Sequence, residues 1–168
     1  MSVRLYSYVG PKWIADQLAL QPLGFLISNP EDIRTWVWET KQSLVNNIVI
    51  ATFIIDALGN LRITERHSEH FVCAAGQPVQ SAGEMTFQID SDIEVIEVSN
   101  QSTGYCPEPK SWSSVALTLE KIGLKPPTDF MFTFEFRRCV HCRSLNLVKE
   151  IFVCSICDLP LSHTYNVQ

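Results

Sequence analysis

No stretch of this sequence stays apolar for long. The longest, Ile48 to Ile55, is interrupted by Thr52 and falls far short of the roughly 20 residues that span a bilayer. No basic start leads into an apolar run and a small-residue cleavage site, so nothing reads as a secretion signal. There is no block of Lys and Arg either. Residues 1–134 hold nine basic against fifteen acidic side chains, and residues 135–168 hold four against three, within a net charge of -5. An acidic body repels a phosphate backbone, which argues against broad nucleic-acid binding. A local contact through Arg137, Arg138 and Arg143 is the one opening left for it. The phosphate-loop, dinucleotide, G-x-S-x-G and H-E-x-x-H patterns are all missing, so no named chemistry is announced. No internal repeat is found. Six cysteines in 168 residues do not make a disulfide scaffold, and together with the missing signal they point to a reducing, cytoplasmic setting.

With 46 % apolar and 18 % charged residues, the chain can bury a real core in one domain. Leu5 to Val9 reads as a short strand, and Pro11 fits the first position of a helix that Pro22-Leu23-Gly24 would break. Asn29, Pro30, Glu31 and Asp32 form a helix start with a cap and early negative charge, and Ile33, Trp36 or Val37, and Leu44 supply its buried stripe. Ile48 to Ile55 reads as a central strand. Leu61 to Thr64, His70 to Ala74, Glu84 to Ile89 and Ile93 to Val98 follow as further strands, with connections short enough for antiparallel pairing. A third helix spans about Ser111 to Ile122, ended by Gly123. Phe130, Phe132, Phe134 and Phe136 alternate with Met131, Thr133, Glu135 and Arg137, which predicts one aromatic face against the core; a ligand-stacking platform is the functional alternative. The expected fold is α+β, mainly antiparallel, with about three helices in a body of residues 1–136 and a small metal module over 137–168.

The strongest motif is Cys139-x2-Cys142, eleven residues, then Cys154-x2-Cys157. Each pair can fold as a tight knuckle, and Leu145 to Val148 with Ile151 to Val153 can form the hairpin that brings the knuckles together. Zinc accepts four sulfurs tetrahedrally with no open position, so one structural Zn2+ is expected, with iron, a redox dithiol or free core cysteines as rivals. Residues 137–160 resemble a zinc ribbon, and the likeness implies a stabilising or protein-docking role without fixing an activity. His141 and His163 are spare potential ligands.

Two polar clusters form a second, ambiguous signal. Arg66-His67-Ser68-Glu69-His70 lies between strand-like stretches, and Asn100 to Glu108 follows a strand end, where sites are commonly built. One arrangement makes Cys106 a nucleophile activated by His67 or His70, with Glu69 or Glu84 orienting the imidazole and Asn100 or Gln101 facing an oxyanion. Another makes Glu69 or Glu84 a general base. A third gathers His67, His70, Cys73 and Cys106 around a second metal. Arg66, Asn100, Gln101, Ser102, Thr103 and Tyr105 are the candidate ligand-binding residues. Cys73 and the two histidines are equally explained as core or strand-end residues. The leading expectation is a metal-stabilised binding or adaptor protein for a macromolecular or small polar ligand, with a small transferase or hydrolase as the alternative.

Overall fold

The β-branched run from Ile48 becomes the middle of a five-stranded sheet. The computed structural model describes residues 2–18 and 23–168. In chain order the elements are α1 (Lys12–Leu18), β1 (Phe25–Ile27), α2 (Glu31–Glu39), β2 (Ile48–Asp56), β3 (Leu61–Glu65), α3 (His70–Ala74), β4 (Val79–Ile89), β5 (Ile93–Ser99), α4 (Trp112–Lys121), β6 (Glu135–Arg138) and β7 (Leu145–Val148). The large sheet runs β1-β3-β2-β4-β5 with every neighbour antiparallel, and β6 and β7 pair separately. This is the α+β, mainly antiparallel architecture expected, with a fourth helix, α3, beside the three foreseen. No helix of the described residues is long and apolar enough to cross a membrane.

The two faces of the sheet are covered unequally. Val49, Ala51, Phe53 and Ile55 of β2 meet Met85 and Phe87 of β4 and pack under Ile33 and Trp36 of α2, Val115 and Leu119 of α4, and Ile122 just beyond it. The opposite face is covered over part of its area, where Ile54 and Ala82 meet Cys73 and Ala74 of α3 together with Tyr6 and Tyr105. The rest of that face, toward Ile50, Thr86 and Glu97, carries no helix and lines an open cleft.

Helix ends follow local chemistry. At α2 the Asp32 N–H donates to Asn29 Oδ1 at 3.2 Å, while Asp32 Oδ2 accepts from the Ser28 and Asn29 N–H groups, so the expected cap acts as a reciprocal box. Three helices stop in the same way. Gln42, Gly76 and Leu124 each donate backward five residues, to Val37, Phe71 and Leu119, across Lys41, Ala75 and Gly123 held at φ of 55°, 48° and 87°. This is the left-handed stop that favours glycine, and only one of the three has it. Leu44 therefore lies beyond α2, at the surface.

Several local expectations need correcting. His70 to Ala74 is a helix, because Glu69 O accepts from both Val72 and Cys73 N–H groups and starts a turn. Leu5 to Val9 makes only one bridge, Tyr6 to Val79. The Phe-rich segment does not keep a single face: Phe130 and Phe136 are buried, whereas Phe132 is 56 % exposed and only residues 135–138 are strand. Leu145 to Val148 pairs with β6, not with Ile151 to Val153; Val153 bridges Pro160 instead. Pro22 of the expected break at Pro22-Leu23-Gly24 lies outside the described residues, as does the side chain of Leu18.

Side-chain amides stitch the ends to the body. Asn100 accepts from the Phe134 N–H and donates to its carbonyl. Asn166 treats Arg138 in the same way, and Gln168 treats Ser7 so. Each carboxamide thus stands in for the strand that would otherwise satisfy those backbone groups. Tyr165 adds a 2.7 Å hydrogen bond to the Cys106 carbonyl.

Candidate metal centre and sheet cleft

The two C-x-x-C pairs fold as matching knuckles. In the first, the Cys139 N–H donates to Ser144 O and the Arg143 N–H to Cys139 O; in the second, Cys154 donates to Leu159 O and Asp158 to Cys154 O. Arg143 and Asp158, each just after the second cysteine, both take positive φ, 67° and 59°. The repeat turns the four sulfurs inward, so that Cys139, Cys142, Cys154 and Cys157 lie within 4.8 Å of one another. Cys139 and Cys157 are 3.6 Å apart, as are Cys142 and Cys154. Four sulfurs about 2.3 Å from a tetrahedral ion stand about 3.8 Å apart. The cluster can therefore hold a metal ion, as the zinc-ribbon resemblance implies.

Its surroundings suit thiolates. The Ser144 hydroxyl lies 3.0 Å from Cys142 and 3.2 Å from Cys154, and the Ile156 N–H and Asn146 Nδ2 donate to Cys154. The Ser144 contact first, then the Cys157, Ile156 and Asn146 N–H donors, outweigh burial and hold the Cys154 thiol down at about 5. Asn146 is buried and ties the knuckles together, since its Oδ1 also accepts from the Ser155 N–H and hydroxyl. Arg137, offered as a nucleic-acid contact, is 5 % exposed. Its guanidinium donates to the Ser162, Phe136 and His163 carbonyls, whereas Arg138 is half-buried and Arg143 exposed. His141 is exposed, and His163 packs its ring on Phe152. Among the described residues no second group of three or more ligands forms around His67, His70, Cys73 and Cys106.

The residues of the two polar clusters separate into two sets. Cys106 is fully buried, donates to the Thr103 carbonyl at 3.4 Å, and is pushed up to about 12 by burial. Cys73 is likewise buried, held by Arg62 O and pushed up to about 12. His70 Nε2 meets the Gly83 carbonyl at 2.8 Å; this imidazole is walled in by protein even though the residue keeps an exposed edge, and burial lowers it to about 4. The contact requires a proton on Nε2, and with the ring lowered to about 4 this is the neutral Nε2–H tautomer at neutral pH. Each sulfur and the imidazole is therefore committed to its own backbone carbonyl. Both Asn100 amide hydrogens are used, on Pro107 and Phe134. The Ser102 hydroxyl accepts from Tyr105 N–H, and Tyr105 donates to Gln77 O. Thr103 and Glu69 are exposed.

The other set shares one place. Glu84 faces Ser99 and Thr86 faces Glu97 across β4 and β5, so two carboxylates and two hydroxyls make a square on the uncovered sheet. This square floors a cleft of about 170 Å3 lined also by Ile50, Arg66, Gln101, Phe132 and Phe134. Phe132 reaches it because residues 131 and 132 run parallel beside the end of β5, with the Met131 N–H donating to Val98 O. Arg66 comes from the loop after β3, whose carbonyl accepts from Thr52 Oγ1 at 2.9 Å, and its guanidinium lies 3.6 Å from Glu84. A wider groove of about 490 Å3 adjoins it, sharing Ile50 and Arg66 and adding Lys41, Gln42, Glu65 and His67.

Glu97 would not be in the cleft if β5 were regular. Phe87 pairs with Val95 and Thr86 with Glu97, leaving Ile96 as an extra residue. Such a bulge shifts every later side chain to the opposite face. It turns Glu97 and Ser99 outward and Val98 into the core, a reversal that strict alternation does not reveal. Gly83 is needed next to it: a Cβ there would stand 1.8 Å from Ser99 O. Of the residues lining the cleft, Glu84, Arg66 and Gln101 stand among the sequence candidates, whereas Thr86, Glu97 and Ser99 do not, because alternation alone leaves them ordinary.

Comparison with known proteins returns no match: no family model, no curated protein and no solved structure corresponds to this chain.

Proposed function

We propose that this is a zinc-stabilised binding protein whose ligand site is the uncovered part of the sheet. The observation that carries the reading is the Glu84, Ser99, Thr86 and Glu97 square, left without a covering helix and overlooked by a largely exposed phenylalanine, Phe132. Polar groups converging in a concavity with an apolar wall are what small-ligand sites consist of. The thiolate cluster belongs to the support of this site. It fixes β6, which directly follows the Phe132–Phe134 wall, and a closed four-sulfur shell offers no position for a substrate. Zinc is the ion such shells commonly take, and four free thiols suit a reducing, cytoplasmic compartment.

Two measurements test it. Metal analysis should give one zinc per chain, lost in Cys154→Ser; visible iron–thiolate absorption would reassign the ion. A library of small polar probes, followed by amide chemical shifts, should perturb Thr86, Ser99, Gln101 and Phe132 together. Perturbations confined to the exposed knuckle tips at Val140 and Ile156 would sink the cleft reading and favour docking through the ribbon.

A second reading, a small hydrolase or transferase, draws on Glu84, Arg66 and His67, which line the joined cleft and groove. There Glu84 is the general base and Arg66 holds an anionic substrate group. Turnover that disappears in Glu84→Gln with the fold intact would establish it in place of simple binding.

A further inference from the structure

Resting on the cleft just proposed as the ligand site, the geometry points to a cationic nitrogen group, an ammonium or guanidinium, as what the cleft receives.

The lining is rich in acceptors. Glu84 is engaged by Arg66 at 3.6 Å, whereas Glu97 has no ion-pair partner among the described residues and is half-buried. Directly opposite it, Thr86 is 7 % exposed, lines the cleft and has no hydrogen-bond partner for its hydroxyl among the described residues. Its oxygen opens onto the cleft, the one fully enclosed side-chain oxygen without a partner among the described residues being Thr64 Oγ1, so the Thr86 hydroxyl is free to bond what enters the cleft. Ser99, also 7 % exposed, accepts only a long 3.4 Å bond from the Gln101 N–H. The floor therefore offers a free carboxylate and two under-used hydroxyl oxygens within one square of the sheet. Ammonium and guanidinium groups carry three and five donors and no acceptor, so they match this inventory where an anion does not.

Charge and shape agree. The cleft holds two carboxylates against one guanidinium, a local excess of negative charge in a chain of net charge -5. Phe132 is 56 % exposed and offers an aromatic face to a cation over the floor. At about 170 Å3 the cleft is smaller than the roughly 300–1,000 Å3 that whole small-molecule ligands fill. It suits one side chain or one end of a polyamine, with the remainder lying in the adjoining groove along Ile48, Glu65 and His67.

The shared chemistry can come from an arginine or lysine side chain of a peptide or from a free polyamine, and one titration separates the two. The full-length, zinc-loaded protein is titrated with blocked Gly-Arg-Gly, with the same peptide carrying citrulline, with spermidine and with inorganic phosphate, following amide shifts. The expected result is saturable perturbation of Thr86, Glu97, Ser99 and Phe132 by a cationic probe, with affinity falling at least tenfold in Glu97→Gln and no response to citrulline. Tighter binding of the peptide than of spermidine assigns the peptide source, and the reverse assigns the polyamine. Glu97→Gln is nearly isosteric, and unchanged zinc content with an unchanged amide spectrum away from the cleft certifies its fold. Phosphate or the citrulline peptide perturbing the cleft as strongly as the cations would overturn the cationic class while leaving the cleft as a ligand site. No cleft response to any probe at millimolar concentration would overturn both.

Discussion

Asn146 shows how much a single side chain carries here. It touches Ser144, Cys154 and Ser155 at once, so it acts on the metal through the sulfur it donates to. Asn146→Ala should leave the four cysteines in place but weaken metal affinity about 10- to 100-fold, measured with added zinc by competition with a chromogenic chelator. His70 makes a different prediction. Its folded value of about 4 lies below the ordinary 6.5, so the unfolded chain binds the extra proton first. Its contribution is fully present above about pH 6.5 and is lost as pH falls toward 4, at a slope of up to about 1.4 kcal/mol per pH unit. Thiolate protonation adds its own acid sensitivity, so the decisive quantity is the difference between the wild type and His70→Gln. The variant keeps a donor for Gly83 O and should show the shallower urea-midpoint loss between pH 6.5 and 4. Equal slopes would mean the ring is not held neutral.

Among the elements, the three left-handed helix stops invite a comparison, because one kind of site holds Lys41, Ala75 and Gly123. Lys41→Gly should raise stability by up to about 1 kcal/mol and Gly123→Ala should lower it by about as much, both read from denaturant midpoints. The stop at Gly123 and the start at Asn29 were legible in the sequence because glycine and capping residues have strong local preferences. The stop at Lys41 was not, and α2 ran on to Leu44 in the reading, since nothing about a lysine signals positive φ. Strands β2, β3 and β5 were legible from apolar, largely β-branched runs between turn residues, and so was β4 from Glu84 on, but its first half, Val79 to Gly83, was not. α3 was missed because Phe71, Val72 and Cys73 look like a strand when considered alone, and five residues are too few for a helical period to show. The clustering of the four cysteines could be read because two matched pairs leave few alternatives. The cleft could not, because Thr86 and Glu97 become neighbours only through strand register.

For the whole molecule, metal and fold are coupled unevenly. The thiolate cluster organises residues 139–157, while β2, β4 and the helices over them form their own core. Stripping the metal that the four cysteines can hold with a chelator should therefore raise amide hydrogen exchange first in β6, β7 and the knuckles. The effect should spread to Phe132–Phe134 and to the tail held by Tyr165 and Gln168, with β2 and β4 still protected. Simultaneous loss of protection everywhere would show that the body has no stability of its own without the metal. Ligand affinity for the cleft should fall with the first phase, because one wall of the site continues directly into the clasped strand.

The extra residue in β5 has a consequence for how this chain tolerates changes in length. Ile96 itself is half-buried and can vary in identity at small cost. Deleting it would cost little as well: Val95 and Glu97 would become adjacent, the strand would straighten into regular pairing, and Glu97 and Ser99 would still face the cleft while Val98 stayed in the core. The reading frame of side chains along β5 thus encodes ligand chemistry and core packing in a single count. A lineage could lose Ile96 more safely than Val98, whose removal would carry Ser99 into the apolar interior.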